Sequence, residues 1–143
     1  MNFTFTIDGD PVPKERPRHT GKVIYTPKKT LQAEKNIAII ARQAAQKAGW
    51  KKAEAGEPIY LGVTFTFKMP KNLSQKKSLE TFLMPCTKRP DIDNIIKLLC
   101  DGINQAKNVW HDDSQVTELY ARKTWGQTGS TIVTVNNFDG AKL

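Results

Sequence analysis

Asp91 and Asp93 flank Ile92 directly behind Pro90, Lys97 follows Asp93 at helical spacing, and Asp101 follows Lys97 at the same spacing. Farther on, Trp110-His111-Asp112-Asp113-Ser114 sets two more acids side by side. These carboxylates crowd into one stretch of a chain whose formal net charge is +8 and whose pI is near 9.6. Oxygen donors grouped in this way suit a hard divalent cation such as Mg2+. A cation of that kind turns repulsion between carboxylates and a polyanion into attraction. Plainer readings exist for each acid. Asp91 and Asp93 could serve a helix N-terminus, where a carboxylate gains a few tenths to ~1 kcal/mol, and Asp112-Asp113-Ser114 could be a turn. A calcium loop is excluded, because Ile96 stands at its sixth position and Gly102 at its twelfth, where Gly and Glu are needed.

Charge is sorted along the chain. Residues 11–29 carry Lys14, Arg16, Arg18, Lys22, Lys28 and Lys29 against Glu15 alone, and residues 68–89 carry Lys68, Lys71, Lys76, Lys77, Lys88 and Arg89 against Glu80 alone. The segment 90–119 is acidic, with Asp91, Asp93, Asp101, Asp112, Asp113 and Glu118 against Lys97 and Lys107. Basic loops alone are often just solvated. Set beside an acid cluster they describe a phosphate-binding rim around a metal pocket.

The elements that must position these groups follow from periodicity. Asn2 to Ile7 alternates Phe3, Phe5 and Ile7 with polar residues and reads as a half-buried strand, closed by Asp8-Gly9-Asp10-Pro11. Prolines 11, 13 and 17 keep Pro13 to Lys22 in a loop. Val23 to Tyr25 is a short strand, and Thr26-Pro27 opens a long helix to Ala48, with Thr as N-cap and Pro as its first residue. Ile59, Leu61, Val63, Phe65 and Phe67 mark a strand from Pro58 to Lys68. A polar connection to Pro85 has room for a short helix over Ser74 to Glu80. From Asp91, a second helix puts Ile92, Ile95, Ile96, Leu99 and Ile103 on one stripe, with Asp93, Lys97 and Asp101 opposite. Asn108 to Asp113 reads as a turn. Gln115 to Trp125 and Thr131 to Val135 read as a closing hairpin. The expected fold is α/β (α+β): one domain over 1–143, a mixed four- to five-stranded sheet and two main helices, both on one face.

Composition bounds the class. With 38% hydrophobic and 25% charged residues, this is a globular chain with a full core. No apolar run approaches the ~20 residues of a membrane helix. Residues 1–6 lack the pattern of a signal peptide. Cys86 and Cys100 show no zinc spacing and read as reduced thiols of a cytoplasmic protein. The basic charge favours nucleic acid over an anionic membrane as partner.

Pro90-Asp91-Ile92-Asp93-Asn94-x-x-Lys97, then Asp101-Gly102-x-Asn104, then Trp110-x-Asp112-Asp113-Ser114-Gln115-Val116 resembles the RusA family of Holliday-junction resolvases. Gly9-x-Pro11-x-Pro13-Lys14-x-Arg16-Pro17-Arg18 and Tyr25-Thr26-Pro27-Lys28-Lys29-Thr30 resemble phage-type members. The resemblance implies a small homodimeric endodeoxyribonuclease that cuts four-way junctions by paired symmetric nicks in recombination and repair, leaving 5′-phosphates. It implies Mg2+ as cofactor, with Mn2+ able to substitute, held by Asp91, Asp93 and Asp113. Lys97 completes the catalytic set. Asp113 is favoured over Asp112 as the ligand, and Asp101 and Asn94 are supporting residues. DNA would be held by Lys14, Arg16, Arg18, Lys22, Lys71, Lys76, Lys77, Lys88 and Arg89. Trp110 reads as core and His111 as a loop residue. The competing functions are a non-catalytic DNA-binding protein and a metal nuclease of broader branched-DNA specificity.

Overall fold

The computed structural model describes residues 1–138. Strand β1 (Asn2–Asp8) leads to a small hairpin, β2 (Arg18–Thr20) with β3 (Val23–Tyr25), and then to helix α1 (Lys28–Lys47). Strand β4 (Ile59–Lys68), short helix α2 (Gln75–Thr81), helix α3 (Ile92–Ala106), a 3-10 turn (Asp113–Gln115), β5 (Val116–Gly126) and β6 (Ser130–Asn137) complete the chain. The main sheet has the order β1-β6-β4-β5. It is mixed: β6 is antiparallel to both β1 and β4, and β5 is parallel to β4.

This order explains why the helices share a face. The steps β1 to β4 and β4 to β5 both join parallel strands, and both move the same way across the sheet. Right-handed crossovers in one direction put α1 and α3 on one side. Phe3, Phe5, Leu61, Val63, Phe65, Phe67, Val133 and Val135 face them, packed with Ile37, Ala41 and Ala45 of α1 and Ile95, Leu99 and Ile103 of α3. The opposite face carries Thr4, Thr6, Tyr60, Thr64, Ile132 and Thr134, all half-buried or exposed.

Three expectations are corrected. Strands β5 and β6 do not form a hairpin, because β4 lies between them. All the inward residues of β4 are apolar and buried, so it takes a central position with partners on both edges. The crossing over its end is close: a Cβ on Gly129 would lie 2.1 Å from Asp10 Oδ1, whose carboxylate also accepts from the Lys68 amide at 3.0 Å. Within the expected proline loop, Arg18–Thr20 instead pairs with Val23–Tyr25 around Gly21, which stands at φ +62. At α1, Pro27 rather than Thr26 is the N-cap, a shift of one residue within the usual uncertainty of helix ends.

Candidate active site

Helix α3 supplies most of the site. Its inner stripe buries Ile95, Leu98, Leu99, Ile103 and Ala106, which fixes how the outer face is turned. Asp91 occupies the N-cap in extended conformation, yet its side chain makes no capping hydrogen bond. Helix capping therefore does not account for this carboxylate. Asp93 lies in the first turn, exposed, and its side chain has no hydrogen bond or ion pair among the described residues.

Lys97 and Asp101 stand on the same face. Lys97 Nζ donates to Asp101 Oδ1 at 3.0 Å. The Asp101 hydrogen bond and charge, with Asp113 adding a smaller share, raise the ammonium pKa above 10.5. Asp101 Oδ2 lies 3.1 Å from Lys14 Nζ, and Lys14 donates also to Glu34 of α1. Glu34 is buried, and its second oxygen accepts from Gln105 Nε2 at 2.8 Å. Burial pulls the Lys14 pKa down, but hydrogen bonds to Glu34 and Asp101 outweigh it, and the ammonium is held above its ordinary value. A chain of charges thus runs from inside α1 to the exposed Lys97.

The other acids approach from the 3-10 turn. Asp112 caps that turn, its carboxylate accepting from the Ser114 amide at 3.2 Å, and contacts with Ser114 hold its carboxyl below the usual range. Gln115, buried, accepts from the amides of His111 and Asp112 and donates to the carbonyls of Glu54 and Glu57. The turn is thereby fastened to the loop ahead of β4. Among the described residues none hydrogen-bonds the Asp113 carboxylate. Its field reaches Lys97 and Cys100, and burial followed by that field pushes the Cys100 thiol up to about 12. Trp110 is core, 1% exposed, with Nε1 donating to Asn104 Oδ1 at 2.6 Å. Both cysteines are free and buried.

The entry to α3 is pinned from β5. Lys123 Nζ donates to the carbonyls of Lys88 and Pro90, the latter at 2.7 Å, and the Lys14 amide bonds Asn94 O at 3.4 Å. Among the expected DNA-binding residues, Arg16, Lys22, Lys71, Lys76, Lys77, Lys88 and Arg89 are exposed. Lys14 instead turns inward to Glu34 and Asp101. Arg18 opens β2, and its side chain lies outside the described part of the structure. A cleft of about 380 Å³ lies on the other side of α3, between the turn after β1, α1 and α3, and is lined by none of the catalytic candidates.

A metal fits this site by donor chemistry rather than as a closed cage. Among the described residues no three of His, Cys, Asp and Glu converge to hold an ion. The carboxylates of Asp91, Asp93 and Asp113 nonetheless have no hydrogen bond or ion pair among the described residues, and Mg2+ commonly takes one or two carboxylates and completes its shell with water and phosphate oxygens. Sequence reasoning missed Glu34 and Lys123, and gave Gln115 no role beyond its place in the motif. The first stands at a helix position indistinguishable from a solvated one, and the other two act through main-chain carbonyls that no residue pattern reports.

The family described as Endodeoxyribonuclease RusA matches residues 8–136. The chain is also 30% identical over 131 residues to the uncharacterized protein YqaN of Bacillus subtilis (strain 168), across 86% of this chain and 87% of that protein.

Proposed function

The chain belongs to the RusA endodeoxyribonuclease family, and we propose that it is a Mg2+-dependent homodimeric enzyme that resolves four-way DNA junctions by paired symmetric nicks. Recombination and repair are the processes that supply such a substrate. The observation that supports this reading is that Asp91, Asp93 and Asp113, at the start of α3 and in the turn before β5, have side chains with no hydrogen bond or ion pair among the described residues. Asp101 and Glu34, by contrast, are paired through both oxygens.

Asp91, Asp93 and Asp113 would hold the metal. When bound, Mg2+ would polarise the scissile phosphate and acidify a water in line with the 3′ oxygen. Lys97, kept protonated by Asp101, offers a fixed positive charge to the phosphoryl oxygens as negative charge grows on them. Asp101 and Lys14 restrain where that charge points. The exposed bases Arg16, Lys22, Lys71, Lys76, Lys77, Lys88 and Arg89 would grip phosphates along the duplex arms, with affinity falling steeply as salt rises. A two-fold dimer presents two such sites to a two-fold substrate.

Cleavage of a synthetic four-way junction and of a linear duplex, each with Mg2+, Mn2+ or EDTA, tests this. Symmetric nicks in the junction with either metal, and none in EDTA or in the duplex, is the expected result. Junction binding without cutting under any metal would replace it with a purely architectural role.

A further inference from the structure

Resting on the reading of this protein as a branched-DNA nuclease, we infer that Phe82, Leu83 and Met84 form an apolar wedge that enters the base stack at the branch point. These three side chains are 45%, 57% and 53% exposed, and Leu79 beside them is 75% exposed. They stand at the end of α2, in a segment with a single acid, Glu80: Lys71, Lys76 and Lys77 precede them, Lys88 and Arg89 follow, and all five bases are exposed.

A mobile loop would fold such side chains down. This one is held open. The Leu83 amide donates to Trp125 O at 2.9 Å, the Trp125 amide to Met84 O at 3.0 Å, and the Cys86 amide to Lys123 O at 3.0 Å, so the backbone is laced to the edge of β5. Leu83 is kept at φ 65, a left-handed conformation that a branched side chain rarely adopts. Strain at an exposed apolar residue, maintained by the surrounding hydrogen bonds, is the pattern of a site built to present that residue. The tip is also tied to the chemistry. At most about 25 Å of extended chain separates Met84 from Asp91, and Lys123 clamps the Lys88 and Pro90 carbonyls on the way.

Charge selects the occupant. A second copy docked through a two-fold axis would set this basic segment against itself. A polyanion that offers apolar surface between its charges satisfies both the lysines and the wedge, and apolar side chains enter base steps in this way. The cost of opening a step is least where bases are already poorly stacked, so the wedge would favour a branch over continuous duplex.

The test places 2-aminopurine beside the centre of a four-way junction and at the same step of a linear duplex, with the full-length protein in EDTA. The wild type raises junction fluorescence and leaves the duplex dark. A Phe82→Ser/Leu83→Gly double variant loses the rise and about ten-fold in junction affinity, the scale of one lost stacking contact. Its duplex affinity stays unchanged. Glycine suits φ 65, so the fold is kept, as a thermal melt would verify. An undiminished rise and affinity in the variant overturns the wedge. So does conversion of a wild-type dimer to monomer, which would make the tip a protein interface. Wild-type protein that cuts junctions without the fluorescence rise removes the wedge alone, whereas failure to bind either DNA removes the nuclease reading with it.

Discussion

Lys97 gives its ammonium to Asp101, one turn ahead on α3 at 3.0 Å, rather than to Asp93, one turn behind. Helical spacing offers Lys97 both acids, and on an isolated helix the order Asp93–Lys97 is the better one. The difference is that Asp101 is itself held by Lys14 at 3.1 Å, so its carboxylate has a fixed place toward which Lys97 turns.

Asp101→Asn should therefore act through Lys97. The substitution removes the largest cause of the raised lysine pKa, so the alkaline limb of junction cutting moves to lower pH. Turnover falls about ten-fold, as expected when a transition-state charge loses its orientation, while junction affinity is nearly unchanged. Rate profiles over pH 7 to about 11, with single-turnover kinetics, check this. An unaltered alkaline limb would show that Asp101 does not govern Lys97.

The interior end of the charge chain bears on stability. Glu34→Ala leaves the Lys14 ammonium with one partner fewer and removes the bond of the Gln105 side-chain amide, at a cost of about 2–4 kcal/mol in urea denaturation. The pH dependence has a definite sign. The folded-state pKa of Lys14 lies above 10.5, so its contribution is fully present below about pH 10.5 and is lost as pH rises through the folded value. Denaturation curves of wild type and Lys14→Met should converge above that pH and run parallel across the neutral range.

Asp112 and Asp113 should separate cleanly. Asp112 accepts from Ser114 and caps the turn, whereas the Asp113 carboxylate has no hydrogen bond among the described residues and its charge reaches Lys97. Asp112→Ala removes the cap, lowers thermal stability and leaves cutting near the wild-type rate. Asp113→Asn abolishes cutting with little change in the melting temperature. The reverse assignment in a junction-cleavage assay would exchange their roles.

Gly102→Ala should loosen the scaffold without touching the chemistry. A Cβ there would come within 2.6 Å of Ile37 Cγ2 and 3.2 Å of the Glu34 carbonyl, where α1 and α3 cross. Overpacking of this kind costs about 1–3 kcal/mol, read as a lower urea midpoint with a retained cleavage rate per folded molecule.

Much of this was legible in the sequence because α3 and β4 obey one period along their whole length. The alternation of Ile59, Leu61, Val63, Phe65 and Phe67 announces a strand, and the isoleucine stripe of α3 places Asp93, Lys97 and Asp101 on the outer face. Strand order was not legible. Whether β6 pairs with β5 or inserts between β1 and β4 depends on which strand has the most apolar area to cover, and local pattern does not rank strands. Lys14 shows the same limit for charge: among prolines and arginines it reads as one more solvated base, and only the crossing of α1 over α3 brings Glu34 and Asp101 to it. Helix N-capping explained Asp91 equally well on paper. Its unengaged side chain in the folded chain is what separates the two readings.

The central claim is that carboxylates spared from the protein's own hydrogen bonds act on DNA through a divalent cation. Asp93→Asn, assayed with Mg2+ on a four-way junction beside a binding titration of the same sample, addresses it most directly. The account predicts a loss of cutting of about a thousand-fold or more, the scale of removing a group that supports the reacting charge, with junction affinity equal to or above wild type because one negative charge has gone. Nicking at the wild-type rate would contradict it.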